Sequence, residues 1–81
     1  MHRFYITIKK DGRIFGNLDK VAINLDTSRN IGKQADELAS SLLDSFEVEK
    51  DNRNNISWKI YQYKNSMYMM VSRTNNGWKV K

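Results

Sequence analysis

The chain has no cysteine and no proline, and only four glycines and one histidine among its 81 residues. Without cysteine there is no disulfide staple, no thiolate metal site and no thiol nucleophile. That fits a reducing compartment without requiring one. No stretch approaches the roughly 18 apolar residues of a membrane span, and the start of the chain, Met1–Ile6, carries no leader pattern, so a cytoplasmic protein without membrane contact is the expectation. Repeats, proline-rich linkers and low-complexity tracts are also missing, and the length leaves room for one domain, residues 1–81.

Motifs of catalysis are equally scarce. His2 stands at the N-terminal end, where a frayed, solvated ring is the simpler reading. Ser40, Ser41 and Ser45 fall on a helical pattern with no base beside them, and Asp36, Glu37 and Asp44 read as a solvated helix face rather than a metal site. Neither Asp11-Gly12 nor Asn76-Gly77 has the spacing of a phosphate-cradling loop. The expectation is a protein that is not an enzyme, with no cofactor and no metal. Nothing beyond generic strand and helix patterns points to a family.

What is present is charge, unevenly placed. The net charge is +5, yet residues 26–51 hold seven acidic side chains against three basic ones, whereas residues 56–81 hold five basic and no acidic ones. Such a split between segments speaks more directly of a partner than the total does.

Hydrophobic periodicity predicts the fold. Phe4, Ile6 and Ile8 alternate with Arg3, Tyr5, Thr7 and Lys9, the period of a strand. Asp11-Gly12 supplies the two positive-φ residues of a type I′ turn, which sets Lys10 against Arg13 and Ile8 against Phe15. A bend near Leu18-Asp19 leads into a third strand through Val21, Ile23 and Leu25. One helix follows, with Ile31, Ala35, Leu38, Ala39, Leu42, Leu43 and Phe46 on one side. Its other side carries Lys33, Asp36, Glu37, Ser40, Asp44 and Glu47, and Thr27, Ser28 or Asn30 caps its start. After a polar stretch at 49–55, three more strands are expected. A turn at Asn65-Ser66 pairs Lys64 with Met67, Tyr63 with Tyr68, Tyr61 with Met70 and Ile60 with Val71. A second hairpin at Asn76-Gly77 pairs Arg73 with Val80. The predicted class is α+β: an antiparallel sheet, βββαβββ along the chain, with one amphipathic helix packed on one face and the other face open.

These registers sort the side chains. The helix-covered face is expected to hold Phe4, Ile6, Ile8, Phe15, Val21, Ile23, Leu25, Ile56, Trp58, Ile60, Met69, Val71, Trp78 and Val80. The open face is expected to hold Arg3, Tyr5, Thr7, Lys9, Lys20, Lys59, Tyr61, Tyr63, Tyr68, Met70, Ser72, Thr74, Lys79 and Lys81, with no carboxylate away from the turns. All four tyrosines fall there, because a tyrosine ring covers apolar surface while its hydroxyl stays wet.

The candidate binding residues are therefore Arg3, Tyr5, Lys9, Lys59, Tyr61, Tyr63, Tyr68, Met70, Lys79 and Lys81. One expectation is a small protein-binding or inhibitor domain, of the kind found among phage or mobile-element regulators. Its tyrosines and Met70 would be the anchors, and its lysines a rim that steers an acidic protein surface or a second copy of the chain. The alternative is a nucleic-acid-binding domain, with Lys59, Lys79 and Lys81 on phosphates and Tyr61, Tyr63 and Tyr68 stacked on bases. The plainest alternative is a solvated sheet face, since tyrosine and lysine also suit exposed strands.

Overall fold

The computed structural model describes residues 1–46, 48 and 55–74. Among them are five strands and one helix: β1 (His2–Lys10), β2 (Arg13–Ile14), β3 (Val21–Leu25), α1 (Ile31–Ser45), β4 (Ile56–Lys64) and β5 (Met67–Arg73). Every pairing is antiparallel, and the class is the expected α+β. The expected last strand, with Trp78, Lys79, Val80 and Lys81, lies outside the described residues.

Strand β1 organises the sheet. One of its edges pairs with β4, from Tyr5↔Tyr61 to Lys10↔Ile56. Its other edge is shared end to end by β2, at Lys10↔Arg13 and Lys9↔Ile14, and by β3, from Ile6↔Val21 to His2↔Leu25. The two are one returning arm with an excursion in it: Thr7 and Ile8 of β1 face the whole of residues 15–20. Ile8 holds both feet of that excursion, accepting from Phe15 N at 2.9 Å and donating to Leu18 O at 2.8 Å. The turn itself is two residues earlier than the expected bend, at Gly16-Asn17, closed by Leu18 N on Phe15 O at 3.0 Å. Gly16 takes φ 56° there, a conformation that a Cβ would oppose. The turn sends Leu18 into the core, where the alternating pattern gave no reason to place it.

Two of the three predicted two-residue turns are present, and the third, Asn76-Gly77, lies outside the described residues. Asp11 and Gly12 have φ of 52° and 79°, and Asn65 and Ser66 have φ of 52° and 62°, as type I′ requires. Glycine is at home in that region and asparagine tolerates it, whereas serine is held there at a cost of roughly 1–2 kcal/mol. Ser66→Gly is expected to raise stability by about 1 kcal/mol, read as a higher urea midpoint at unchanged slope.

The helix starts at the third of the candidate caps: Asn30 Oδ1 accepts from Lys33 N at 3.1 Å. Asp26 closes its own turn by accepting from Ser28 N at 3.0 Å and Ser28 Oγ at 2.6 Å. Gln34 reaches back to bond both backbone groups of Asp26, at 2.9 and 2.8 Å, and so fixes the entry angle of α1. Ala35, Ala39 and Leu43 are fully buried against Phe4, Ile6, Ile8, Ile23, Leu25, Ile56, Trp58 and Ile60, with Ile31, Leu38 and Leu42 packed at the margin. Phe46, expected in the same stripe, ends the helix as its C-cap and stays exposed. Asp36, expected on the outer side, instead accepts the indole N–H of Trp58 at 2.6 Å.

Strand β5 departs most from expectation. Lys64↔Met67, Tyr63↔Tyr68 and Tyr61↔Met70 pair as predicted, but Ile60 then pairs with Ser72 rather than Val71. Val71 is the extra residue of a bulge, and the faces invert beyond it. Ser72 and Thr74, expected on the open face, therefore move to the helix side, and Arg73 takes their place opposite Lys59. Thr74 locks the end of the strand onto Trp58, donating its N–H to Trp58 O at 3.2 Å while its hydroxyl accepts from Trp58 N at 3.3 Å. The core takes no residue from β5, so Met69 and Val71, expected to be buried, are exposed.

Candidate nucleic-acid or protein interface on the open face

The open face is built from alternate residues of three neighbouring strands. The registers bring Tyr5, Tyr61 and Met70 into one row across β1, β4 and β5, with Tyr63 and Tyr68 in the next row of β4 and β5. All four tyrosines meet. Tyr68 is the hub: its ring centroid lies 5.3 Å from Tyr5, 6.5 Å from Tyr61 and 4.8 Å from Tyr63, at interplanar angles of 87°, 82° and 57°. The first two are edge-to-face contacts, which set the positive rim of one ring against the negative face of the next, and the third is tilted. Tyr5 and Tyr61 are half-buried, while Tyr63 and Tyr68 remain 52% and 44% exposed beside exposed Met70.

The excursion at 15–20 lies over the other end of this face and changes it in two ways. Thr7, expected in the open, is only 2% exposed. Its hydroxyl donates to Asp19 Oδ1 at 3.0 Å and accepts from Lys20 N at 3.0 Å. Asp19, in the excursion where a bend was expected, therefore brings a carboxylate to the edge of this face. Lys20, held at φ 55°, closes the set: its Nζ lies 3.2 Å from Asp19 Oδ1 and 4.4 Å from the centroid of Tyr61, with Tyr68 at 5.5 Å. An ammonium over a partly wet ring contributes about 0.5–1 kcal/mol. Lys20 was expected on the open face, but neither it nor Asp19 was among the candidate binding residues, and nothing in their spacing brings them against Thr7 and Tyr61. They arrive by tertiary folding.

The Lys20 ammonium, with the Thr7 hydroxyl next, holds the Asp19 carboxyl below its ordinary value of 3.8. A carboxyl whose folded value is depressed contributes stability above the ordinary value and loses it as pH falls through the folded one. The thermal midpoint is therefore expected to drop on acidification below pH 3.8, and Asp19→Asn is expected to flatten part of that drop in a pH series of melting curves. Asp26 contributes in the same direction, held down by the Ser28 hydroxyl and N–H.

The remaining basic residues form a rim. Arg3 is exposed, with its Nε 3.5 Å from Asn24 Oδ1. Lys9 and Lys59 are half-buried at the Ser57 and Thr7 registers, and Lys9 adds to the field that holds Asp19 ionised. Arg73 joins them by way of the bulge, a residue the alternating pattern assigns to the wrong side. Of the expected site, the structure brings Tyr5, Tyr61, Tyr63, Tyr68 and Met70 together and sets Arg3, Lys9 and Lys59 around them. Lys79 and Lys81 lie outside the described residues.

Elsewhere, a shallow concavity at the start of α1 is lined by Arg29, Asn30, Lys33, Gln34 and Glu37, with charges of both signs. Among the described residues no three His, Cys, Asp or Glu side chains approach closely enough to hold a metal ion. No helix among them is long and apolar enough to cross a membrane. Comparison of the chain with protein-family models, with curated proteins and with solved structures found no match, so a functional reading rests on the tyrosine face.

Proposed function

We propose that the chain is a non-enzymatic protein-binding domain that holds an acidic partner surface on the tyrosine face. The observation that carries this reading is the packing of Tyr5, Tyr61 and Tyr63 around Tyr68. Rings that brace one another are already ordered, so a partner meets a preformed apolar patch at little entropic cost. Tyrosine, methionine and arginine are the residues enriched at the centres of interfaces. The rim of Arg3, Lys9, Lys20, Lys59 and Arg73 outweighs Asp19 and favours a negative partner. Blocking that partner's own contacts, as an inhibitor does, follows from the same docking. A cysteine-free chain of this kind suits the reducing cytoplasm.

Nucleic acid is the competing occupant of the same face. Base stacking needs a ring with its flat side free. Here Tyr5 and Tyr61 meet Tyr68 edge to face, and Lys20 occupies one side of Tyr61, which favours a protein.

A photo-crosslinking residue in place of Tyr63, compared with one in place of Ser41 on the helix, separates the two. Protein adducts are expected at position 63, diminished by Tyr68→Ala and by salt raised from about 50 to about 200 mM. Labelled single- and double-stranded oligonucleotides are expected to bind no more tightly to the protein than to its Tyr68→Ala variant. An oligonucleotide affinity that Tyr68→Ala destroys, together with nucleic-acid adducts at position 63, would overturn the proposal in favour of nucleic acid.

A further inference from the structure

Among the described residues β5 ends the sheet path, and its outer edge lacks the usual protections. Exposed edges are ordinarily blunted by lysine, proline or inward-pointing charge. Residues 65–72 are instead the longest run of the sequence without a charged side chain, eight residues between Lys64 and Arg73. Apolar groups stand out on both sides of this strand: Met67 (64% exposed), Met69 (52%) and Val71 (40%), as well as Tyr68 and Met70 on the tyrosine side.

The hairpin fixes which backbone groups face outward. A two-residue turn closes on a hydrogen-bonded pair, here Lys64↔Met67, and bonded and non-bonded pairs alternate from it. Met67 and Met69 therefore direct their N–H and C=O toward β4, and Tyr68 and Met70 direct theirs away from it.

We propose that the outer edge of β5 pairs antiparallel with the same strand of a second copy of the chain, about a twofold axis at Met69. In that register Tyr68 of each copy faces Met70 of the other, and the two exchange both backbone bonds, which makes four bonds in all. Met67 faces Val71, and Met69 faces its own counterpart across a non-bonded position. The side chains agree with the backbone: sulfur and aliphatic groups meet on the helix side, ring and thioether on the tyrosine side. Charge selects a second copy as the occupant. Two chains of net charge +5 repel, and this edge is where they meet without opposing like charges. It also offers no cation to the acidic partner proposed for the tyrosine face. The pairing stands independently of that proposal, and it joins two sheets into one with both tyrosine clusters on the same side.

The natural lack of cysteine makes the test clean. Sedimentation equilibrium is expected to give twice the chain mass of 9.6 kDa, with dissociation decreasing as salt screens the repulsion between copies, the reverse of the salt effect on an acidic partner. Met69→Cys is expected to form a disulfide-linked dimer under mild oxidation. The Cα atoms of a non-bonded antiparallel pair lie about 4.5 Å apart, within the span a disulfide bridges. Ser41→Cys on the helix is expected to form no disulfide-linked dimer under the same conditions. Met69→Lys sets two ammonium groups face to face and is expected to weaken the dimer at least ~100-fold while its circular dichroism stays that of the parent. A parent protein that remains monomeric at every concentration and salt would overturn the proposal, as would a dimer that neither Met69 variant affects.

Discussion

Replacing Trp58 by alanine is expected to lower stability by about 3–5 kcal/mol, the range for deleting a buried indole. A domain this small has little more than that in total, so the variant is expected to be largely unfolded at physiological temperature. Trp58 does three things at once. Its ring is 3% exposed on the inner face opposite Ile8. Its backbone holds the end of β5 through both Thr74 bonds. Its indole N–H donates to Asp36 and ties the sheet to the helix. Two further variants separate these roles. Trp58→Phe keeps most of the packing and loses the Asp36 bond, at an expected cost of about 1.5–3 kcal/mol for a bond to a charged acceptor plus the smaller ring. Asp36→Leu orphans the indole N–H and is expected to cost about 1–3 kcal/mol, whereas Asp36→Asn keeps an acceptor and is expected to cost less. Urea unfolding followed by far-ultraviolet circular dichroism reads all of them.

The second large effect concerns binding. Tyr68→Ala is expected to weaken the protein partner recovered by crosslinking about 30-fold or more, since truncating a central aromatic anchor costs 2 kcal/mol or more. The hub position is the reason. Tyr63 contributes its own ring, but Tyr68 also orients Tyr5, Tyr61 and Tyr63, and without it those rings lose their common neighbour. Tyr63→Ala is accordingly expected to cost several-fold less. Tyr68→Phe keeps the ring contacts and is expected to bind within a few-fold of the parent. Stability is expected to change by only about 1 kcal/mol in Tyr68→Ala, because the ring lies on the wet side and contributes mainly its aromatic contacts. Titration of the purified partner by calorimetry checks the series, and a Tyr68→Ala protein that binds like the parent would sink the tyrosine-face reading.

Most of the sheet was legible because local chemistry and alternation agree there. Asp11-Gly12 and Asn65-Ser66 fix two hairpins, and from them period two places Phe4, Ile6, Ile8, Ile56, Trp58 and Ile60 inward and the four tyrosines outward. The failures lie where the chain leaves that period. Val71 and Ser72 suit either face equally, so nothing local marks the bulge that moves Arg73 outward and Thr74 inward. Leu18 follows a glycine turn whose purpose, filling the core beside Ile8, is visible only when β3 returns to β1. Thr7 is burial by a neighbour: alternation correctly aims it at the open face, and Asp19 and Lys20 then cover it. Met69 is also aimed correctly, yet the core draws on β1, β3, β4 and α1 alone. A period of two tells which way a side chain points and says nothing about whether anything stands there to meet it.

The excursion at residues 15–20 carries a constraint on how this surface can change. Six residues stand opposite two of β1, a surplus of four, and an even surplus returns β3 with Ile23 and Leu25 still turned to the helix. Shortening or lengthening the segment by a pair preserves that handedness of facing, while a single added residue would turn Ala22 and Asn24 inward instead. Variation in what overhangs Tyr61 is therefore quantised in steps of two: new charges can be exchanged there freely, provided the count stays even.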